Sequence, residues 1–306
     1  MRVIITGLPL FGKMLCKDLN NFDSKNQYYF YNTYYSWVDK IRFAIMLPFC
    51  DLVISLNGVT DKSGSLNWAI KWRKKIMMLW QGTDVLLATE RYNNKTILNT
   101  YLDYASQFSD SEQLIKELNQ IGINADLLYF KHIQPFDKIE EPFRSISAYS
   151  YIANGREDFY GLNILLPLFE QFKDVHFHII GTEGKTFPNF SNATYYGWIN
   201  ARKYQEIAQE SAVFIRLTEH DGYSKSIQEA LANGSEVIWN MEHPQCHLVT
   251  RDSKSVRELF SKITQELTLR NNARNSNNIS WVKQNLNKDK VLANFISTIN
   301  KIGSKS

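Results

Sequence analysis

Short apolar runs of strand length alternate with helical patterns along almost the whole chain, and this restricts the fold more than any other feature. In the first half the runs are 3–6, 28–31, 52–56, 76–80 and 103–108; in the second they are 147–152, 175–180, 213–217 and 237–239. Strands separated by helices lie parallel, with a helix layer on each face of the sheet, and two covered faces demand near-continuous apolar runs. The alternation breaks at 134–143, where two prolines and mixed charge mark a linker. A chain of 306 residues accommodates two such layers, each of roughly 130 to 150 residues with an adequate core. The expected fold class is α/β, two Rossmann-like domains at 1–140 and 141–280. The asparagine-rich stretch 270–278 reads as a loop, and 281–306 as a helix of its own.

The segment from His220 to Trp239 concentrates the chemistry. It places two carboxylates, Asp221 and Glu229, eight positions apart across a glycine turn and a helix start. Gly222 lets the backbone turn closely around a ligand, and Ser224 or Ser226 can cap the following helix, whose first N–H groups then face an anion. Ile227, Ala230 and Leu231 form one apolar stripe, Gly234 stands at a left-handed C′ position, and 236–239 reads as the next strand. Ser226-x-x-Glu229 equally fits a capping box, in which the glutamate only closes the first helical turn.

The segment 221–238 resembles the Glu-x7-Glu motif of retaining glycosyltransferases of the GT-B fold, of the family 4 type, in a variant that begins with Asp. Further pieces follow the order of that family: Asn154-Gly155-Arg156, Gly161, 175–184 including Gly181, and 196–199. In the first half, Gly7 after the first strand, 80–84 and 109–128 resemble the family's acceptor domain more weakly. The resemblance implies two domains facing across a cleft, with the terminal helix crossing back to the first. It further implies that Glu229 holds the ribose hydroxyls, Asp221 meets the donor sugar, and the backbone of Gly222, Tyr223, Ser224 and Ser226 cradles the diphosphate. Arg156 would neutralise that diphosphate, Gly181 would line the donor site, and Gly197, Trp198 and Ile199 would lie against the base. Gly7, Leu8, Gln81 and Asp84 would face the acceptor. Where the family has lysine before the glycine matched by Gly161, this chain has Tyr160; where it often has histidine before the glycine matched by Gly82, it has Gln81. Lys225 is a candidate for the missing catalytic charge.

The implied co-substrate is a nucleotide diphosphate sugar, with no cofactor and no metal. GT-B enzymes stabilise a leaving diphosphate with cationic side chains and a helix N-terminus. No acidic pair or histidine cluster here has metal-ligand spacing; His176 and His178 alternate on one strand face. The loop 7–12 lacks the G-x-G-x-x-G and Walker spacings, so a dinucleotide-binding dehydrogenase fits poorly. A net charge of +4 does not point to nucleic acid, and 44% hydrophobic with 22% charged residues describes a folded protein. Cys16, Cys50 and Cys246 are scattered and odd in number, which suits a reducing, cytoplasmic setting. No run of eighteen apolar residues spans a membrane, and the opening segment reads as a buried strand rather than a signal peptide. Trp68 and Trp72 stand at i and i+4 beside Arg73, Lys74 and Lys75, as on an interfacial helix at an anionic membrane, although the tryptophans can equally pack inward. The membrane reading makes a lipid-linked acceptor attractive. Two rivals stand beside sugar transfer: a noncatalytic sugar-nucleotide or glycan-binding subunit on the same scaffold, and a GT-B-like sugar-nucleotide epimerase.

Overall fold

The computed structural model describes residues 1–133 and 141–304; most of the expected linker, 134–140, lies outside them. The chain divides into two compact units, Met1–His132 with Lys288–Ser306, and Ile133–Asn287.

The first unit runs β1 (Arg2–Thr6), α1 (Pro9–Phe22), β2 (Gln27–Phe30), α2 (Trp37–Met46), β3 (Leu52–Ser55), α3 (Gly64–Lys71), β4 (Lys75–Trp80), α4 (Thr83–Asn93), α5 (Thr100–Tyr104), β5 (Ser106–Ser109), α6 (Glu112–Gln120) and β6 (Asp126–Leu127). Among the described residues these strands form one six-stranded sheet in the order β2-β1-β3-β4-β5-β6, all pairs parallel. Side chains alternate between its faces. Val3, Ile5, Leu52 and Ile54 meet Leu15 and Leu19 of α1, whereas Ile4 and Val53 meet Phe43 of α2 and Leu66 of α3. Both faces are buried at the centre of the sheet, so β1, β3 and β4 carry the unbroken apolar stretches 3–5, 52–54 and 76–80. The final helix, α12 (Lys288–Ser304), adds Leu292, Phe295 and Ile299 to the α1 side.

The second unit runs β7 (Ser147–Tyr151), α7 (Leu162–Gln171), β8 (His176–Ile180), β9 (Ala193–Tyr195), α8 (Ala201–Glu210), β10 (Val213–Arg216), α9 (Lys225–Ala232), β11 (Glu236–Trp239), β12 (His247–Leu248), α10 (Ser253–Leu269) and α11 (Ser276–Asn285). Its sheet is also parallel, in the order β12-β11-β10-β7-β8-β9, with Val213 registered against Ala148 on one side and Glu236 on the other. Phe169 of α7 and Phe260 of α10 fill one face. In each sheet the strand order reverses beside the first strand: β1 lies between β2 and β3, and β7 lies between β8 and β10. Open parallel sheets bind ligands at the carboxyl ends of the strands flanking such a reversal.

Three expectations are corrected. The helix expected over 281–306 is two helices, α11 and α12, and α11 packs on α9 in the second unit. Asp103 and Tyr104, read as strand, close the short helix α5, and β5 starts at Ser106. The loop expected over 270–278 ends at Asn275, which caps α11 by accepting from the N–H groups of Asn277 and Asn278.

Candidate functional site

The reversal in the second sheet gathers most of the residues singled out in the sequence. β10 ends in Arg216, a single charge in an apolar strand, with its side chain only 8% exposed. Its guanidinium hydrogen-bonds the Asp221 carboxylate, which also accepts from the Gly222 N–H at 3.0 Å. Above it lies Tyr160, whose ring centre is 5.4 Å from the guanidinium carbon and packs edge-on against Tyr151 of β7. Arg156 is exposed and stacks at 4.0 Å on the Phe159 ring. Gly161 opens α7 at φ +77, where a Cβ would come within 2.7 Å of the Leu217 carbonyl oxygen. Glycine is thus required for β10 and α7 to approach this closely.

After the Asp221 loop, Ser224 caps α9 by accepting from the Ile227 N–H at 3.4 Å, and the Ser226 hydroxyl lies 3.1 Å from that of Ser224. The first N–H groups of α9 are therefore presented at the carboxyl edge of the sheet, where the helix dipole favours an anion. Glu229 stands on the second turn of α9, too far along to close a capping box. Burial pushes its carboxyl above the ordinary carboxylate value, against the opposing pull of Lys225 and Tyr204. Lys225 reaches Glu229 at 3.5 Å. Beneath it stand Tyr149 of β7 and Tyr204 of α8, whose phenols are raised first by burial and then, at Tyr149, by the Glu229 charge and, at Tyr204, by Tyr149 and Glu229.

Gly181 and Gly197 join the loops after β8 and β9: the Gly181 N–H donates to the Gly197 carbonyl at 2.7 Å, and the Gly197 N–H to that of Thr182 at 3.0 Å. This turn leaves Trp198 84% exposed and Ile199 half-buried.

The first unit has its own row of loops at the carboxyl ends of β1, β3 and β4. Gly7 takes φ +93, and a Cβ there would come within 2.5 Å of Asn57 Oδ1; Leu8 packs against the core. Asp84 is half-buried and accepts backbone N–H groups from Gly58, Gln81, Gly82 and Val85 at 2.5–3.0 Å.

No protein-family model matches the sequence, and no curated protein matches it either. Solved structures do. The Anabaena protein HepE, determined with UDP and glucose, superposes with a TM-score of 0.70 at 11% identity, over 98% of this chain and 100% of that one. Sucrose-phosphate synthase from Thermosynechococcus elongatus gives 0.70 at 10% identity over 100% of both chains. The Neisseria meningitidis UDP-GlcNAc 2-epimerase, bound to UDP-GlcNAc, gives 0.58 at 12% identity, over 98% and 100%. The fold is GT-B.

Within this GT-B chain the expected site residues fall into two groups. Asp221, Gly222, Tyr223, Ser224, Lys225, Ser226, Glu229, Arg156, Gly181, Gly197, Trp198 and Ile199 belong to the second unit; Gly7, Leu8, Gln81 and Asp84 belong to the first. Several roles change. Lys225 lies 3.5 Å from Glu229, and Arg216, at the end of β10, is a buried cation paired with Asp221. Gly222 lies outside the left-handed region, so the turn itself does not demand glycine there. Asp84 is a loop organiser whose carboxylate is filled by backbone donors. Arg216, Tyr149 and Tyr204 escaped the sequence reading. A lone arginine ending an apolar strand was a legible signal; the tyrosines carried none.

The basic segment expected to meet a membrane is also rearranged. Lys74 donates to the carbonyls of Pro48 and Cys50, and Lys75 to that of Gly303, so neither is a free surface charge. Trp68 and Trp72 are about half exposed, at 48% and 46%, rather than core residues. Among the described residues no helix is long and apolar enough to cross a membrane, and no group of three His, Cys, Asp or Glu side chains is arranged to hold a metal.

Proposed function

We propose that this chain transfers a hexose-type sugar from a nucleotide diphosphate sugar to a glycan, a glycolipid or a small hydroxylated acceptor, with retention at the anomeric carbon. One juxtaposition carries the reading: Asp221, the capped start of α9 and Glu229 lie together at the strand reversal of the second sheet, beside Arg156 and Arg216. Solved structures of the same fold, HepE with UDP and glucose among them, give it support. Glu229, half-buried and poor in donors other than Lys225 and Tyr204, takes the ribose hydroxyls. The N–H groups at the start of α9 and the Arg156 guanidinium receive the diphosphate. As the bond to the sugar breaks, negative charge grows on that diphosphate, and fixed donors and cations in a partly desolvated site stabilise it. Asp221, held by Arg216, is oriented toward the sugar hydroxyls. The residues present supply this chemistry without a cofactor, and the free Cys16, Cys50 and Cys246 suit a cytoplasmic setting.

The test is a thermal-shift panel of UDP, GDP, ADP and dTDP and their common sugar conjugates. A ligand that binds only the folded state must stabilise it. A selective shift, lost in Glu229→Ala, is expected; no shift with any member overturns the reading. A noncatalytic binding subunit is favoured by one observation, that both carboxylates are already paired with cations. It predicts a donor shift without sugar transfer or slow donor hydrolysis. An epimerase, for which the Neisseria structure is the precedent in fold, predicts isomerised donor with no acceptor present.

A further inference from the structure

Helix α2 is apolar on both sides. Its inward side is Phe43, followed by Leu47. Helical spacing sets Trp37, Val38, Ile41 and Ile45 on the opposite side, where they are 72%, 38%, 50% and 67% exposed, and Phe49 just beyond is 61% exposed. A surface helix of a soluble domain carries polar residues there, and a contiguous exposed apolar row marks a contact surface. The half-exposed Trp68 and Trp72 extend it across α3, which packs beside α2.

The charges around this row are mostly basic, with Asp39 on α2 and Asp61 before α3 among them. Lys40 and Arg42 flank it on α2, Lys62 precedes α3, and Lys71 lies with its Nζ 5.3 Å over the Trp68 ring. The neighbouring acids are engaged: Asp39 accepts from the Asn32 N–H and holds Arg42, and Asp61 pairs with Arg91 at 2.7 Å. Between α2 and the start of α3 opens a cavity of about 450 Å³, whose lining includes Tyr34, Lys40, Phe43, Asp61, Lys62 and Trp68. Its charged lining is two lysines and Asp61, the latter paired with Arg91, and its Lys40 side adjoins the exposed row.

We propose that this face seats the protein on an anionic bilayer, with the α2 row and the α3 tryptophans in the interfacial region and the cavity taking an anionic lipid head group. Tryptophan and aliphatic side chains favour that depth, and lysine and arginine are drawn to the negative surface. A second copy of the chain fits less well, because a two-fold contact would set Lys40, Arg42 and Lys62 against their own copies. This surface lies within the first unit and does not rest on the donor site.

The test is co-sedimentation of the full chain with phosphatidylcholine vesicles, with and without phosphatidylglycerol. Binding is expected only to the anionic vesicles, weakening with salt. Ile41→Glu with Ile45→Glu should abolish it, and Lys40→Glu or Lys62→Glu should each weaken it about five-fold or more, since one basic residue near such a surface is worth that factor. Trp37 fluorescence, isolated by difference against Trp37→Phe, should shift to the blue on binding. No association with anionic vesicles, or equal association by the Ile41→Glu, Ile45→Glu variant, overturns the proposal, as does a concentration-dependent dimer that this variant dissolves. The same variants should keep their nucleotide thermal shift, which separates failure here from failure of the donor reading.

Discussion

At the scale of single residues, the pair Arg216 and Asp221 matters most. The arginine ends a buried strand with its side chain 8% exposed, and the aspartate, 16% exposed, is its charged partner. Removing one member of such a pair leaves the other desolvated and uncompensated, which costs about 3 kcal/mol or more. Arg216→Met should therefore lower the urea midpoint strongly, and Asp221→Leu in the same background should recover part of the loss, as a double-mutant cycle would show. Tyr160→Lys, which replaces a ring facing the guanidinium by an ammonium, should destabilise the chain rather than improve diphosphate binding. Glu229→Ala acts on binding instead: truncating a hydrogen-bonding charged group should weaken nucleoside diphosphate affinity by roughly 1–3 kcal/mol, measurable by titration calorimetry.

At the scale of the element, α9 shows why the two serines of the motif are not equivalent. Ser224 caps the helix, whereas Ser226 sits inside it and touches Ser224. Ser224→Ala should cost about 1 kcal/mol of stability and Ser226→Ala appreciably less, read from denaturant midpoints at constant slope. The start of α7 is constrained differently. Gly161→Ala meets both a left-handed backbone and the Leu217 carbonyl at 2.7 Å, so it should destabilise by about 1–2 kcal/mol and disturb the Tyr160–Arg216 contact with it. Edge strands β6, β9 and β12 have only two or three residues each, too few to carry a period. They form because a neighbouring strand offers a register, and no local pattern announces them.

At the scale of the whole molecule, pH tests the second unit. Burial holds both His178 and His243 down to about 4. Unfolding returns them to the ordinary histidine value near 6.5, so the unfolded chain takes up protons first as pH falls. The stability they contribute is complete above about 6.5 and is lost between there and about 4, on the order of 3 kcal/mol each. Carboxylates held low, such as Glu236 with its His247 and Arg270 partners, lose their contribution only below about 4.5. Glu229, raised by burial, works in the opposite direction and gains as pH falls. A loss of urea stability between pH 6.5 and 4.5 that flattens in the double variant His178→Gln, His243→Gln is the expected result. The unit boundaries show a second long-range effect: α12 returns to the first sheet through Leu292, Phe295 and Ile299, so removing 288–304 should unfold that unit, seen as lost cooperativity in thermal unfolding.

The sequence by itself determined the alternation of strands and helices, because parallel strands covered on both faces must be largely apolar, as 3–5 and 52–54 are. It also determined the turn, helix and strand of 220–239, since Ser224, the Ile227 stripe and Gly234 are local signals read within a few residues. What only the tertiary structure decided are the partners. Arg216 holds Asp221, Lys225 is taken up by Glu229, Asp84 is filled by backbone donors, and α11 parts from α12 to pack on α9. These choices depend on which strand ends lie side by side at the sheet reversal and on which charges burial leaves uncompensated. Neither is written in any window of sequence, because both arise only when residues distant along the chain are desolvated together.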